Sequence, residues 1–117
     1  MLFSRRGACY QASRVTGPRH NFLSVELSFN ADDKKPEIEA LPGFCDGHGE
    51  VDPAEIVRSV LEGLHLANQK YATNYSVSRI QYRANDSVPE SVYGVMIFRI
   101  VERLAHGGEF LERNDDD

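Results

Sequence analysis

Long apolar runs are missing from this chain of 117 residues. No stretch approaches the roughly 18 consecutive apolar residues that a membrane-spanning helix requires. The first six residues include Arg5 and Arg6, but no apolar stretch follows them, so they do not resemble a secretory signal. We therefore expect a cytoplasmic protein without membrane contact. Its length is typical of one domain.

Cysteine is also scarce. The chain has Cys9 and Cys45, and a disulfide between them is not expected in a reducing compartment. Cys45 and His48 form a single Cys-x-x-His pair, whereas a zinc site needs a second pair at suitable spacing. We expect neither a metal ion nor a cofactor.

Catalytic and phosphate-binding signatures are absent as well. No serine lies in a Gly-x-Ser-x-Gly segment, and no glycine-rich phosphate-binding loop occurs. Residues 46–50 place two acids and a histidine in a glycine-rich segment, which leaves a small enzyme of unknown reaction as an open alternative. Paired carboxylates act as acid and base only at a fixed separation and with shifted pKa values. We expect a protein that is not an enzyme.

The charge is modest and unevenly distributed. The net charge is −5, although the first 20 residues carry four arginines and no acid. Nucleic-acid-binding proteins usually have a clear basic excess, which this chain lacks. The chain ends in three consecutive aspartates. We expect one α/β domain over residues 1–112 and a disordered acidic tail over residues 113–117.

Hydrophobic spacing predicts the secondary structure. Strict alternation over residues 21–29 indicates a half-buried strand, and further strands are predicted at 8–15, 37–41 and 75–84. The strands at 8–15 and 21–29 form a hairpin whose loop, residues 16–20, is too long for a two-residue turn. Capping boxes place helix starts at Asp52, with Glu55, and at Ser87, with Glu90. Helical stripes follow both starts.

Two glycine features complete these helix predictions. Gly63 lies inside the first helix, where glycine costs about 1 kcal/mol relative to alanine, so we expect another element to approach it closely. The glycines at 107–108 end the second helix. Tyr93, near the start of that helix, is expected at the edge of the core.

The element order β-β-(β)-α-β-α predicts an α+β fold. We expect a two-layer sandwich in which a small mixed sheet carries two helices on one face. Its other face stays open, and Val77 shares that face with the arginines of the same strand. No aromatic residue is expected to alternate into it. The residues predicted to line it are Ser24, Glu26, Ser28, Arg79, Gln81 and Arg83.

Three segments, in this order and spacing, resemble domain IV of elongation factor G. Residues 16–27 are similar to its glycine-containing hairpin tip and following strand. Residues 49–67 are similar to its proline-led helix with an internal glycine at Gly63, and residues 85–91 with 98–100 to its Asp-Gly-Ser loop and next helix. The resemblance covers about residues 10–105. It implies a ribosomal protein S5 domain 2-like fold with a left-handed crossover between parallel strands.

The resemblance also implies a function without catalysis. In the translation factor this domain reaches the decoding site with its tip loops, while a separate domain hydrolyses GTP. The chain departs from the family at Pro89, near the position of a histidine, and at Pro18 and Arg19 in the first tip loop. Because no phosphate-binding loop is present, we expect no translocase activity.

Three functions remain open. The favoured one is a non-catalytic binding module that contacts a protein partner, or a second copy, through the open sheet face. A ribosome- or RNA-associated protein using the tip loops is the second, and the small enzyme is the third. The predicted contact surface is Arg14, Arg19, His20, Arg79, Gln81, Arg83, Asn85 and Asp86.

Overall fold

The computed structural model describes residues 1–28, 35–42 and 51–113. Within these ranges the elements follow one another as β1 (Leu2–Arg6), β2 (Cys9–Thr16), β3 (Arg19–Ser28), β4 (Glu37–Leu41), α1 (Pro53–Tyr71), β5 (Ser76–Arg83), α2 (Ser91–Ala105) and β6 (Leu111–Glu112). Three predictions concern residues outside the described ranges: the Cys45–His48 pair, the segment 46–50, and the tail over residues 113–117, of which Arg113 alone is described.

The described strands form one mixed sheet in the order β4-β5-β3-β2-β1-β6. The pairs β1–β2, β2–β3 and β3–β5 are antiparallel, whereas β4 runs parallel to β5 and β6 runs parallel to β1. The helix α1 connects the two strands of the β4–β5 pair. The left-handed sense of that crossover stays a prediction.

The hairpin of β2 and β3 has a shorter turn than predicted. Thr16 pairs with Arg19, so only Gly17 and Pro18 form the loop. Gly17 has a φ of 60°, and the ring of Pro18 holds the next φ negative, which is the combination of a type II′ turn. Such a turn follows the twist of the strands, so pairing continues up to the loop. The prediction of a longer loop was wrong.

A β-bulge in β5 moves one residue to the other face of the sheet. Glu26 pairs with Arg79 but the next residue, Leu27, pairs with Val77, which leaves Ser78 as an extra residue. The alternation therefore breaks at Ser78. Val77 lies in the core, where it is 5% exposed, and its predicted place on the open face was wrong.

One hydrophobic core lies between the sheet and the helices. The sheet contributes residues that share one face, so both helices cover that face. The predicted α+β two-layer class is thereby confirmed. The core residues are Ala12, Leu23, Val25, Val77, Ile80 and Tyr82 from the strands, and Ile56, Val60, Leu64, Ala67, Tyr93, Met96, Ile97, Ile100 and Val101 from the helices.

The two helices touch where each has a glycine. A Cβ on Gly63 would collide with the backbone of Gly94, and a Cβ on Gly94 would lie 2.7 Å from Ser59 O. The Gly94 N–H also donates to Ser59 Oγ at 2.9 Å, so a hydrogen bond joins the two helices at this contact. The predicted close approach at Gly63 is confirmed.

The start of α1 is capped by residues from both helical regions. Asp52 Oδ1 accepts a hydrogen bond from Ala54 N at 3.0 Å, so the predicted N-cap is confirmed. The Asp52 N–H donates to Glu90 Oε2 at 3.4 Å. Glu55, predicted for that role, instead pairs with Arg58 at 2.5 Å. The capping box is therefore completed from another part of the chain.

The helix α2 begins at Ser91 rather than at Ser87. The Ser87 hydroxyl is bonded to the hairpin, where it accepts from His20 N at 3.1 Å, so it does not cap the helix. At the other end, Ala105 is the last helical residue and Gly107 has a φ of 69°, as the predicted stop requires. Neither described helix combines the length and the apolar character needed to cross a membrane.

Candidate ligand groove on the open face of the sheet

A polar ladder crosses five strands on the face opposite the helices, which we call the open face. Ser4 Oγ donates to Gln11 Oε1 at 3.0 Å, and Gln11 Nε2 donates to Ser24 Oγ at 3.4 Å. Ser24 pairs with Gln81 across β3 and β5, and Gln81 Nε2 donates to Glu39 Oε1 at 2.5 Å. The ladder fixes two side-chain amides along the middle of the open face.

Neighbouring side chains flank this ladder and bury part of it. Ser24 is 1% exposed and Gln11 is 7% exposed, although both lie away from the helices. A cavity of about 290 Å³ opens above them, with Gln11, Ser24 and Gln81 as its floor. We call it the open-face groove. Its lining consists of Arg6, Cys9, Gln11, Phe22, Ser24, Leu41, Gln81, Arg83 and Arg113.

Arginines supply all the formal charge on the described lining of this groove. Arg6 comes from β1, Arg83 ends β5 and Arg113 follows β6, so three separate segments converge. Arg83 Nη1 donates to Pro42 O at 3.0 Å, and its guanidinium lies 4.9 Å from the ring centre of Phe22. These contacts hold the guanidinium at the edge of the groove. The groove therefore suits an anionic group.

Phe22 corrects the expectation that no aromatic residue alternates into the open face. It precedes Ser24 by two residues in β3 and therefore lies on the same side of the sheet. Its side chain is half-buried, and Arg83 covers one side of the ring. Continuing the alternation of β3 by one more step would have identified it.

The far end of the open face has mixed charge. Arg79 pairs with Glu26 in the β3–β5 register, and its Nη2 lies 3.9 Å from Glu37 Oε2. A second cavity of about 300 Å³ lies there, and its charged lining residues are Glu26, Lys35, Glu37 and Arg79. Because these charges balance, an anionic ligand is favoured at the open-face groove instead.

The eight residues predicted as one contact surface separate into three groups. The first borders the open-face groove or lies beyond it on the same face. The second lies where the hairpin meets the β5–α2 loop, and the third alternates onto the helix side of the hairpin. The first group is Arg79, Gln81 and Arg83. The second group is His20, Asn85 and Asp86, and the third is Arg14 and Arg19.

The second group belongs to a tip cluster formed by residues 20–22, 85–87 and Tyr93. His20 N donates to Ser87 Oγ at 3.1 Å, and Ser87 N donates to His20 O at 2.9 Å. Asn21 Nδ2 also donates to Ser87 O, at 2.8 Å. These bonds join the two predicted tip loops into one unit.

A buried carboxylate lies at the centre of the tip cluster. Asp86 Oδ2 accepts from Phe22 N at 2.9 Å and from the Tyr93 hydroxyl at 2.6 Å, and Asp86 Oδ1 lies 3.4 Å from His20 Nδ1. Asp86 is 1% exposed and Tyr93 is fully buried. Asp86 therefore connects the loops and is not available to a partner, whereas the side chain of His20 is 29% exposed.

Burial is the main influence on the acid–base properties of this cluster. It raises the pKa of Asp86, although hydrogen bonds from Phe22 and Tyr93 and the nearby His20 act in the opposite direction. Burial also raises the pKa of Tyr93, and the adjacent Asp86 carboxylate raises it further. Tyr93 therefore stays protonated and donates its hydrogen bond throughout the physiological range.

Metal-binding side chains do not gather in the described part of the chain, where no three His, Cys, Asp or Glu residues could share one ion. Cys9 carries a free thiol beside the open-face groove. The comparisons with known proteins give no identity: the chain matches no family model, no curated protein and no solved structure.

Proposed function

We propose that this protein is a non-catalytic binding module that holds an acidic segment of a protein partner in the open-face groove. The main support for this proposal is that Arg6, Arg83 and Arg113 converge on a floor of fixed side-chain amides. A guanidinium presents a planar set of donors that matches a carboxylate with two hydrogen bonds. Cytoplasmic location is part of this proposal, and the free Cys9 thiol agrees with it.

The floor of the groove favours a peptide over other anions. Gln11 and Gln81 each use one amide hydrogen in the polar ladder, and each amide group carries a second hydrogen. Gln11 Oε1 already accepts from Ser4 Oγ and has one further lone pair. An extended peptide offers alternating N–H and C=O groups to such side chains. Acidic side chains on the peptide would then meet the surrounding arginines.

The shortage of exposed aromatic rings makes single-stranded RNA a poorer occupant of the groove. Bases bind sheet surfaces by stacking on exposed aromatic rings. On the open face of the described strands the single phenyl ring is that of Phe22, and the guanidinium of Arg83 lies over it.

A titration with a short poly-glutamate peptide, followed by amide NMR, tests the proposal. We expect shifts centred on Gln11, Ser24 and Gln81 that weaken as salt is added. The variant Arg83→Gln combined with Arg6→Gln should bind about tenfold more weakly. The matched control is Arg58→Gln on the exposed side of α1, which should bind like the wild type. Absent shifts, or equal losses in both variants, would overturn the proposal.

The tip cluster supports a second candidate, a ribosome- or RNA-associated protein. Residues 20–22 and 85–87 form one body, and Arg19 is exposed beside it. The test is co-sedimentation with ribosomes at low and at physiological ionic strength. Binding that Arg19→Glu abolishes, while the paired arginine variant of the groove retains it, favours this candidate. Absence of binding at low salt rules it out.

A further inference from the structure

The outer side of the helix layer carries an apolar groove, which we call the helix groove. It has a volume of about 290 Å³ and is lined by Ser59, Glu62, Gly63, Leu66, Ser91, Gly94, Val95, Phe98 and Arg99. Leu66 of α1 is 57% exposed and Val95 of α2 is 51% exposed on its two rims. These two side chains extend the apolar lining of the helix groove onto both of its rims.

The shape of the helix groove follows from its small residues. Gly63 and Gly94 bring the helix backbones together, and Ser59 and Ser91 add little volume above them. The floor therefore lacks side chains where a ridge would normally run between two packed helices. One large aliphatic side chain from another molecule can enter this depression.

We propose that the occupant of the helix groove is a second copy of this chain, related by a two-fold axis. The same surface carries projecting side chains, Leu66 and Val95, and a depression at Gly63 and Gly94 that can accommodate such a side chain. In a two-fold interface every contact occurs twice: if residue i of the first copy contacts residue j of the second, then residue j of the first copy contacts residue i of the second. A projecting Val95 from each copy thus fills the depression of the other.

The charges on the rims are self-complementary in the same way. Glu62 lies on the α1 rim and Arg99 on the α2 rim. A two-fold arrangement places Glu62 of each copy opposite Arg99 of the other, so two ion pairs flank the apolar contact. Arg99 Nη1 donates to Glu102 Oε1 at 2.7 Å within the chain, and a guanidinium has further N–H donors for a second carboxylate.

The interface is tested by the mass of the protein in solution. Sedimentation of the full chain from about 10 µM to about 1 mM should show a shift from monomer to dimer. The variant Val95→Glu should stay monomeric throughout. Its matched control is Val15→Glu at the hairpin, where Val15 is 78% exposed, and this variant should dimerise normally. Circular dichroism should confirm that both variants are folded.

Charge reversal decides whether the second copy sits as proposed. Glu62→Arg and Arg99→Glu should each weaken dimerisation about tenfold or more, and the two changes together should restore it. A monomeric wild type at the highest concentration, a dimer unaffected by Val95→Glu, or a double variant that is not restored would each overturn the inference. The open-face groove takes no part, so poly-glutamate binding should be equal in all these variants.

Discussion

Gly63 of α1 lies against the backbone of Gly94 of α2 so closely that neither position has room for a Cβ. Gly63→Ala should therefore destabilise the protein, although alanine favours a helix by about 1 kcal/mol. Overpacking costs about 1–3 kcal/mol, so the net loss in the free energy of unfolding should lie between about 0 and 2 kcal/mol. We expect the upper part of this range, because the added Cβ would meet backbone atoms of Gly94. Urea denaturation measures it. Gln69→Ala, on an exposed turn of the same helix, is the control.

A second prediction concerns the buried carboxylate. Asp86→Ala removes the acceptor of the Phe22 N–H and of the Tyr93 hydroxyl, and both donors would stay buried. We expect a loss of about 2–6 kcal/mol, since two donors lose their acceptor and each unpaired buried donor costs about 1–3 kcal/mol. Tyr93→Phe removes one of the two bonds and should cost about half as much. Equal stability of Asp86→Ala and the wild type would show that Asp86 does not stabilise the tip cluster.

The sequence predicted the role of Gly63 but not that of Asp86. Gly63 stood out because glycine is unfavourable inside an apolar helical stripe, and a close neighbour is the usual reason. The role of Asp86 was not visible, because a carboxylate in a polar loop next to Ser87 is typical of a helix start. Its burial depends on Phe22 and Tyr93, which approach it only in the folded chain.

The same limit applies to the sheet and the groove. β3 was predicted from its alternation, but β1 has two consecutive arginines and β6 has two residues, so neither carries a periodic pattern. Arg6 and Arg113, which line the groove, could therefore not be placed. The bulge at Ser78 was hidden as well, because it arises from the register between two strands and not from either sequence alone.

The titration of Asp86 gives a third prediction. Its pKa is raised in the folded state, so folding favours the protonated carboxyl. The stability that this group contributes is complete below the pKa of an unfolded aspartate and is lost as the pH rises through the raised folded value. Asp86→Asn cannot titrate. The stability of the wild type minus that of Asp86→Asn should therefore fall across this window and then stay constant.

This difference is measured by urea denaturation at intervals from about pH 3.5 to about pH 7.5. Other carboxylates titrate in both proteins and cancel in the comparison. Glu102, for example, has a pKa lowered first by its hydrogen bond from Tyr71 and then by that from Arg99, and it contributes equally to both. A difference that rises with pH would show that the hydrogen bonds to Asp86 outweigh its burial.

Phe110 provides the last prediction, because it connects β6 to the rest of the sheet. Its ring centre lies 5.1 Å from that of Tyr10 and 6.1 Å from that of Phe3. Three residues after Phe110, the Arg113 N–H donates to Arg5 O at 2.8 Å. Phe110→Ala should detach this edge at a cost of about 1–2 kcal/mol, less than for a fully buried phenylalanine.

Hydrogen exchange locates the effect of Phe110→Ala. The amide of Arg113 should exchange at least about tenfold faster, while amides at the centre of β3 should change only in proportion to global stability. Leu111→Ala is the control, since Leu111 is 65% exposed and its loss should leave the Arg113 amide protected. Because Arg113 borders the open-face groove, Phe110→Ala should also weaken poly-glutamate binding. Unchanged exchange at Arg113 would show that strand pairing alone holds β6 to β1.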